Sequence, residues 1–219
     1  MKVNKWLLGL FSAAECLIFL VFLALDLTGR SAETVPLKYA GILLCVLYAL
    51  LCALRGGDRL VLPALALTAG ADWFLLVQNR HLTLGILLFL GVQTLYFIRL
   101  RRAGVPAALP LRLLLPLLFG LGVWAAGLLS PLDLLAALYF SQLAANTALS
   151  WTAAGRKLRL FAPGLTLFVC CDLCVGLFNL YGLVPDPLYR FSAVGMWLFY
   201  LPSQVLIALS ALPRKEVVP

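Results

Sequence analysis

The stretch WLLGLFSAAECLIFLVFLALDL, residues 6–27, decides the fold. A helix needs about 20 apolar residues to cross a bilayer's hydrocarbon core, and this run exceeds that with only Glu15 and Asp26 charged. It is too long for a signal-peptide core, and no small-residue cleavage site follows. It therefore reads as a retained transmembrane helix.

Runs of the same kind recur along the chain. Helix 1 is expected over Trp6–Leu27, helix 2 over Pro36–Leu54, helix 3 over Leu60–Gln78 and helix 4 over Leu82–Ile98. Helix 5 is expected over Leu109–Leu129, helix 6 over Leu132–Thr152, helix 7 over Leu160–Leu183 and helix 8 over Tyr189–Leu212. Turn residues separate them, as in Gly56-Gly57-Asp58, Ser130-Pro131 and Pro185-Asp186-Pro187. Composition agrees: 63% of the 219 residues are hydrophobic, 12% are charged and the mean hydropathy is +1.03. A soluble domain carries about 25% charged residues. The expected fold is an all-α, polytopic transmembrane helical bundle of about eight helices, one integral membrane domain over residues 1–219.

The 17 Lys and Arg residues are unevenly distributed between the two sides of such a bundle. Lys2, Lys5, Arg55, Arg59, Arg99, Arg101, Arg102, Arg112, Arg156, Lys157, Arg159, Arg214 and Lys215 fall on one side. Arg30, Lys38, Arg80 and Arg190 fall on the other. The positive-inside rule then places both termini in the cytoplasm. The short loops and small size suggest a bacterial inner membrane. A net charge of +8 scattered over loops beside an anionic leaflet speaks against a nucleic-acid partner.

The six cysteines lie inside the expected spans, where Cys behaves as a small apolar residue. Cys171 and Cys174 have metal-pair spacing, but with His81 as the chain's sole histidine the usual set of nitrogen and sulfur ligands is lacking. No metal and no cofactor are expected.

Acids within spans carry more information, because a carboxylate at a helix centre costs about 2.5–3.5 kcal/mol on insertion scales and normally faces a bundle interior. Asp26, Glu33, Asp58, Asp133, Asp186 and Glu216 fall in loops or at span ends, where water is available. Glu15, Asp72 and Asp172 do not. Glu15 by itself reads as one structural hydrogen bond. Asp72 and Asp172 lie at matching depth in helices of the same direction, each followed seven residues later by an asparagine, Asn79 and Asn179. Seven residues is nearly two turns, so acid and amide share a helix face. Helix 4 then carries Gln93 and Tyr96, and helix 8 carries Tyr200 and Gln204. Acid helix followed by Gln/Tyr helix in each half suggests a weak parallel repeat of helices 1–4 and 5–8, a pattern also found among transporters.

At these residues the chain resembles the YhhN-like family of polytopic membrane proteins, which includes the lysoplasmalogenases. The motifs are Gly70-Ala71-Asp72-Trp73-Phe74-Leu75-Leu76, the helix from Gly85 through Phe89 and Gln93 to Tyr96, Phe168-Val169-Cys170-Cys171-Asp172, and the closing Tyr200-Leu201-Pro202-Ser203-Gln204-Val205-Leu206-Ile207-Ala208. Lys38 at the start of helix 2 also fits. Gln93 stands where the family tends to place His, and Cys171 where it tends to place Ser.

The resemblance implies hydrolysis of the vinyl-ether bond of a lysoplasmalogen to a fatty aldehyde and a glycerophospho-alcohol. Enol-ether hydrolysis needs a carboxyl to protonate the β-carbon and a carboxylate to steady the cation or activate water, the division of labour that glycosidases use. Paired carboxyls in a low-dielectric interior resist double ionisation, so the pair can retain a proton. Asp72 and Asp172 are the candidate pair. Gln93, Tyr96, Asn179, Tyr200 and Gln204 are candidates to orient them or the water, although interhelical polar glue explains each equally well. Tyr139 and Asn146 can line the same cavity. Lys38 and Arg190 can meet a phosphate headgroup or simply snorkel to the interface. The partners implied are a lysophospholipid or other lipid substrate and the surrounding lipids. Two rival readings use the same residues: a small-substrate or proton-coupled transporter, and a non-catalytic lysolipid-binding protein. Gln93 bears on the second, since an amide cannot shuttle a proton near neutral pH as imidazole does.

Overall fold

The computed structural model describes residues 5–153 and 158–212. They form eight α-helices and no strand: α1 (Lys5–Leu27), α2 (Val35–Leu54), α3 (Val61–Asp72), α4 (Leu82–Arg102), α5 (Leu109–Ala125), α6 (Pro131–Thr152), α7 (Phe161–Asn179) and α8 (Asp186–Leu209). A short 3-10 turn over Ser31–Thr34 leads into α2, and a π-helical turn over Trp73–Val77 continues α3. By length and composition five helices can cross a membrane: α1, α2 with its leading turn, α4, α7 and α8. The chain is thus a multi-pass membrane protein. The expectation of about eight crossings meets two shorter apolar helices, α3 with its π turn and α5. It also meets α6, whose Ser141, Gln142, Asn146, Thr147 and Ser150 lower its hydropathy.

Local chemistry sets several boundaries. Ser130 caps α6 by accepting from the Asp133 backbone N–H, Asp133 answers with a bond back to the Ser130 N–H, and Pro131 supplies a preset φ at the first position. α4 runs on past Ile98 to Arg102, so Arg99 lies on the helix. α7 stops at Asn179 rather than Leu183, and Gly182, at φ +80, takes the left-handed turn that leads to α8.

The helices pack in a closed circuit. α3 lies against α4, α4 against α6, α6 against α7, α7 against α8, and α8 returns to α3. α2 covers the α3–α8 seam and α1 packs on α2 and α8. Among the described residues α5 packs mainly on α6, reaches α4 where Arg112 lies over Phe97, and has no fully buried side chain, which leaves most of its surface for lipid. Close approaches rely on small residues, as lipid-embedded bundles do. A Cβ on Gly195 of α8 would come within 2.8 Å of Cys174 Sγ on α7, and one on Gly85 of α4 within 2.5 Å of Leu75 on the π turn.

Each end of the bundle is closed by a buried cation. Arg99 is 3% exposed. It donates to Asp58 Oδ2 at 2.8 Å and to the hydroxyl and carbonyl of Ser210, each at 2.8 Å, and lies over the Phe161 ring. These contacts gather the α2–α3 turn, the start of α7 and the ends of α4 and α8 at one end, here termed the basic end. Arg101 and Arg102 also lie on the last turn of α4 there. At the opposite end Lys38 of α2 pairs with Asp26 of α1, its Nζ 2.8 and 3.0 Å from the two carboxylate oxygens, while Thr34 donates to Asp26 Oδ1. Neither expectation for this pair holds. Lys38 does not snorkel and Asp26 is not solvated; their side chains are 6% and 5% exposed. In place of water each has the other, and the ammonium sits over the Trp197 and Phe22 rings.

Lys2, Arg156, Lys157, Arg214, Lys215 and Glu216, which entered the charge count, lie outside the described residues.

Two predictions follow from these contacts. A Cβ at Gly57 would sit 2.3 Å from the Ala211 carbonyl oxygen and 2.8 Å from that of Cys52, both backbone atoms that cannot rotate away. Gly57→Ala is expected to destabilise by about 1–3 kcal/mol, read as a lower Tm in detergent. Lys38→Met strands a buried carboxylate and is expected to cost about 3–5 kcal/mol, whereas Lys38→Met with Asp26→Asn recovers most of that loss. Equal Tm values for the single and double variants would show that the pair is not coupled.

Candidate functional site

The five-helix circuit encloses a polar interior to which every member contributes. Asp72 comes from α3, Gln93 and Tyr96 from α4, Tyr139 and Asn146 from α6, Asp172 from α7, and Tyr200 and Gln204 from α8. Most of these side chains are buried: Asp72 is 5% exposed, and Gln93, Asn146 and Gln204 are 2% or less.

Asp72 ends the regular part of α3. The π turn follows immediately, with the Gln78 N–H donating to the Trp73 carbonyl and Arg80 to Phe74, so the helix widens just beyond the acid. Such π bulges recur at functional sites. The Tyr200 hydroxyl reaches across from α8 and donates to both oxygens of Asp72, at 2.9 and 2.8 Å. Tyr200 is itself seated by rings: Phe168 of α7 lies 5.5 Å away and Trp197 5.2 Å away, edge to face. Through Trp197 the phenol is linked to the buried Lys38 ammonium, 4.9 Å from that indole.

α3 and α7 do not pack against each other. α4 and α6 separate them on one side and α8 on the other, and Asp72 and Asp172 lie within electrostatic reach of each other. The Cys171 thiol lies within reach of both carboxyls. Asp172 Oδ2 is buried without a hydrogen bond. The Tyr139 phenol lies beside this carboxyl, at the margin of hydrogen-bond geometry. Tyr139 stacks near Phe89 of α4, which touches Phe168 in turn, so an aromatic wall runs from Tyr139 to Tyr200.

The remaining candidates divide. Tyr96 and Gln204 are interior, and Tyr96 Oη and Gln204 Oε1 are buried without partners. Gln93 is occupied on one side, its Oε1 and backbone carbonyl accepting from Asn146 Nδ2 at 3.0 and 2.9 Å, while its Nε2 is unpartnered. Asn179 and Asn79 are elsewhere. Asn179 is exposed at the end of α7 and donates to Val175 O of its own helix. Asn79 lies in the turn beyond Val77 at φ +48. Seven-residue spacing fails at Asn79 because the helix has already widened and ended, and Asn tolerates the left-handed turn that follows. Glu15 takes one bond, from Cys45 Sγ at 3.3 Å, beside Gly41. Cys171 and Cys174 are buried free thiols, and Cys174 packs against Gly195.

Two residues around the interior had other readings in the sequence. Asp26 counted as a solvated span end and Arg112 as one of the basic residues beside the anionic leaflet. Arg112 lies on the first turn of α5 and points inward to α6. Its position inside an apolar run was the available signal.

No curated protein and no solved structure matches the chain. The family model for the YhhN family matches residues 34–211, which includes all five helices of the circuit and both aspartates. With most of its length covered, and the Asp72, Asp172 and Tyr200 motifs all inside the match, this chain belongs to the YhhN family.

Proposed function

We propose that this protein is a lysoplasmalogenase-like membrane hydrolase that cleaves the vinyl-ether bond of lysoplasmalogen with Asp72 and Asp172 as its acid/base pair. One observation carries the reading. Two carboxyls from non-adjacent helices of one circuit lie within electrostatic reach of each other, and one of them is held through both oxygens by Tyr200. Family membership is consistent with it.

The hydrogen bonds suggest a division of labour. Asp72, an acceptor toward Tyr200, suits the carboxylate role. Asp172, beside the Tyr139 phenol rather than gripped through both oxygens, is the acid. The Asp172 proton goes to the β-carbon, the C=C electron pair forms the new C–H bond, and an oxocarbenium ion remains facing Asp72. Water adds to the cationic carbon and its proton passes to Asp72, giving a hemiacetal. The glyceryl oxygen then leaves with the proton from Asp72 while the hemiacetal hydroxyl returns its proton to Asp172. Aldehyde and alcohol are released and both carboxyls are restored. A bacterial inner membrane would supply the lipid directly from the bilayer.

A second reading, a lysolipid binder without turnover, draws on Gln93. Its amide is fixed by Asn146 and cannot relay a proton as a histidine there would.

Incubating purified protein with alkenyl lysophospholipid and measuring aldehyde tests the proposal. Asp72→Asn and Asp172→Asn are each expected to lower kcat by about 10²-fold or more. An inactive wild type that still binds the lipid would favour the binder; full activity in both variants would remove the aspartates from the mechanism. Tyr200→Phe deletes a hydrogen bond to a buried carboxyl, worth about 1.5–3 kcal/mol. It is expected to reduce kcat about 10- to 100-fold with little change in KM.

A further inference from the structure

Of the basic side chains that hydrogen-bond between helices, Lys38 and Arg99 end on carboxylates. Arg112 does not. Its Nη1 donates to Gln142 Oε1 at 3.1 Å, its Nη2 to Asn146 Oδ1 at 2.7 Å and its Nε to the Ala107 carbonyl at 3.0 Å, all neutral acceptors. Among the described residues no acid pairs with it. The guanidinium is held flat over Phe97, 4.4 Å from the ring centroid, and three of its five N–H groups are used. Asn146 continues the chain inward to Gln93, whose Nε2 is a buried donor with no partner, on a residue 2% exposed. A cation without a counter-charge and an unused amide donor, linked through one asparagine, form a site for an anion.

We propose that Arg112, with Gln142 and Asn146 orienting its guanidinium and Gln93 Nε2 at the inner edge, binds the phosphate of the lysophospholipid headgroup. This rests on the hydrolase reading for the identity of the lipid. Depth along the helices fits. The guanidinium is held between Asn146 and Gln142, six and ten residues before the end of α6 at Thr152, and Asp72 and Asp172 lie eleven residues after the starts of α3 and α7 at Val61 and Phe161. At 1.5 Å per residue the carboxyls are deeper than the guanidinium by roughly 2–8 Å. The glycerol segment between a headgroup phosphate and the vinyl-ether oxygen at the other end of the same glycerol falls within that range. The lipid therefore enters with its headgroup toward the basic end and its chain toward the opposite one. Lys38 at that opposite end is already neutralised by Asp26 and is not the phosphate ligand.

The test measures binding without cleavage, using an alkyl-ether lysophospholipid, the matching neutral alkylglycerol and sn-glycerol 3-phosphate with full-length protein in detergent. Arg112→Gln is expected to lower the affinity ratio of lysophospholipid to alkylglycerol about tenfold. Arg112→Lys, which keeps the charge but loses the planar fork, is expected to lower it less; it carries the test if the glutamine variant does not fold. An unchanged ratio in a folded variant, or equal loss for both lipids, overturns the proposal. So does glycerol phosphate competing as well as the intact lysolipid, since the site would then serve a free phosphate ester. A wild type that binds with the expected ratio but yields no aldehyde from the alkenyl lipid removes the hydrolase and keeps the subsite. One that yields aldehyde with a ratio indifferent to Arg112→Gln does the reverse.

Discussion

Hydrocarbon offers no hydrogen bonds, so the polar side chains of this protein must find partners inside the helix bundle. The circuit of α3, α4, α6, α7 and α8 is the geometric answer. These helices turn most of their apolar residues to lipid or to their neighbours, and each contributes at least one acid, amide or phenol to the interior. Several of those groups still lack protein partners: Asp172 Oδ2, Tyr139 Oη, Tyr96 Oη, Gln93 Nε2 and Gln204 Oε1. A buried polar group without a hydrogen bond costs about 1–3 kcal/mol.

The same constraint explains the ends of the bundle. Lys38 and Arg99 are cations drawn out of water, and each is compensated by a carboxylate and by aromatic faces. These clusters set the relative positions of helices that carry the site. Arg99 ties α4 to α8 through Ser210, and Lys38 reaches α8 through Trp197, three residues before Tyr200. Tyr200 in turn bridges α8 to α3 at Asp72. The acid is therefore located by a connected set of polar and aromatic contacts rather than by its own helix alone.

Much of the fold is legible in one dimension because spanning a bilayer is a local property of a segment. The run over residues 6–27 needs no partner to be read as a helix, and the turn residues mark where each run stops. Asp72 and Asp172 are legible for a related reason: an acid in an apolar run has few places to go, and the interior is one of them. The reading fails where two residues are linked by assumed helical phase, as with Asn79 and Asn179, since a π turn or a helix end breaks the phase without any clear mark in composition. It also fails where charge is sorted by position along the chain. Asp26 and Arg112 both lie near span ends, and nothing local says whether such a side chain turns outward to water or inward to a partner on another helix.

What the sequence determined by itself is the class of protein, the number and approximate limits of its helices, and the two acids that stand out from them. Only the tertiary structure decided that α3 and α7 stay apart within one helix circuit, that Tyr200 takes Asp72, and that among the described residues Lys38 meets a carboxylate while Arg112 meets neutral acceptors. The division has a physical cause. Transfer into hydrocarbon acts on each segment separately and is written in its composition, but the pairing of buried charges depends on which helices become neighbours, and that is settled by packing over the whole bundle.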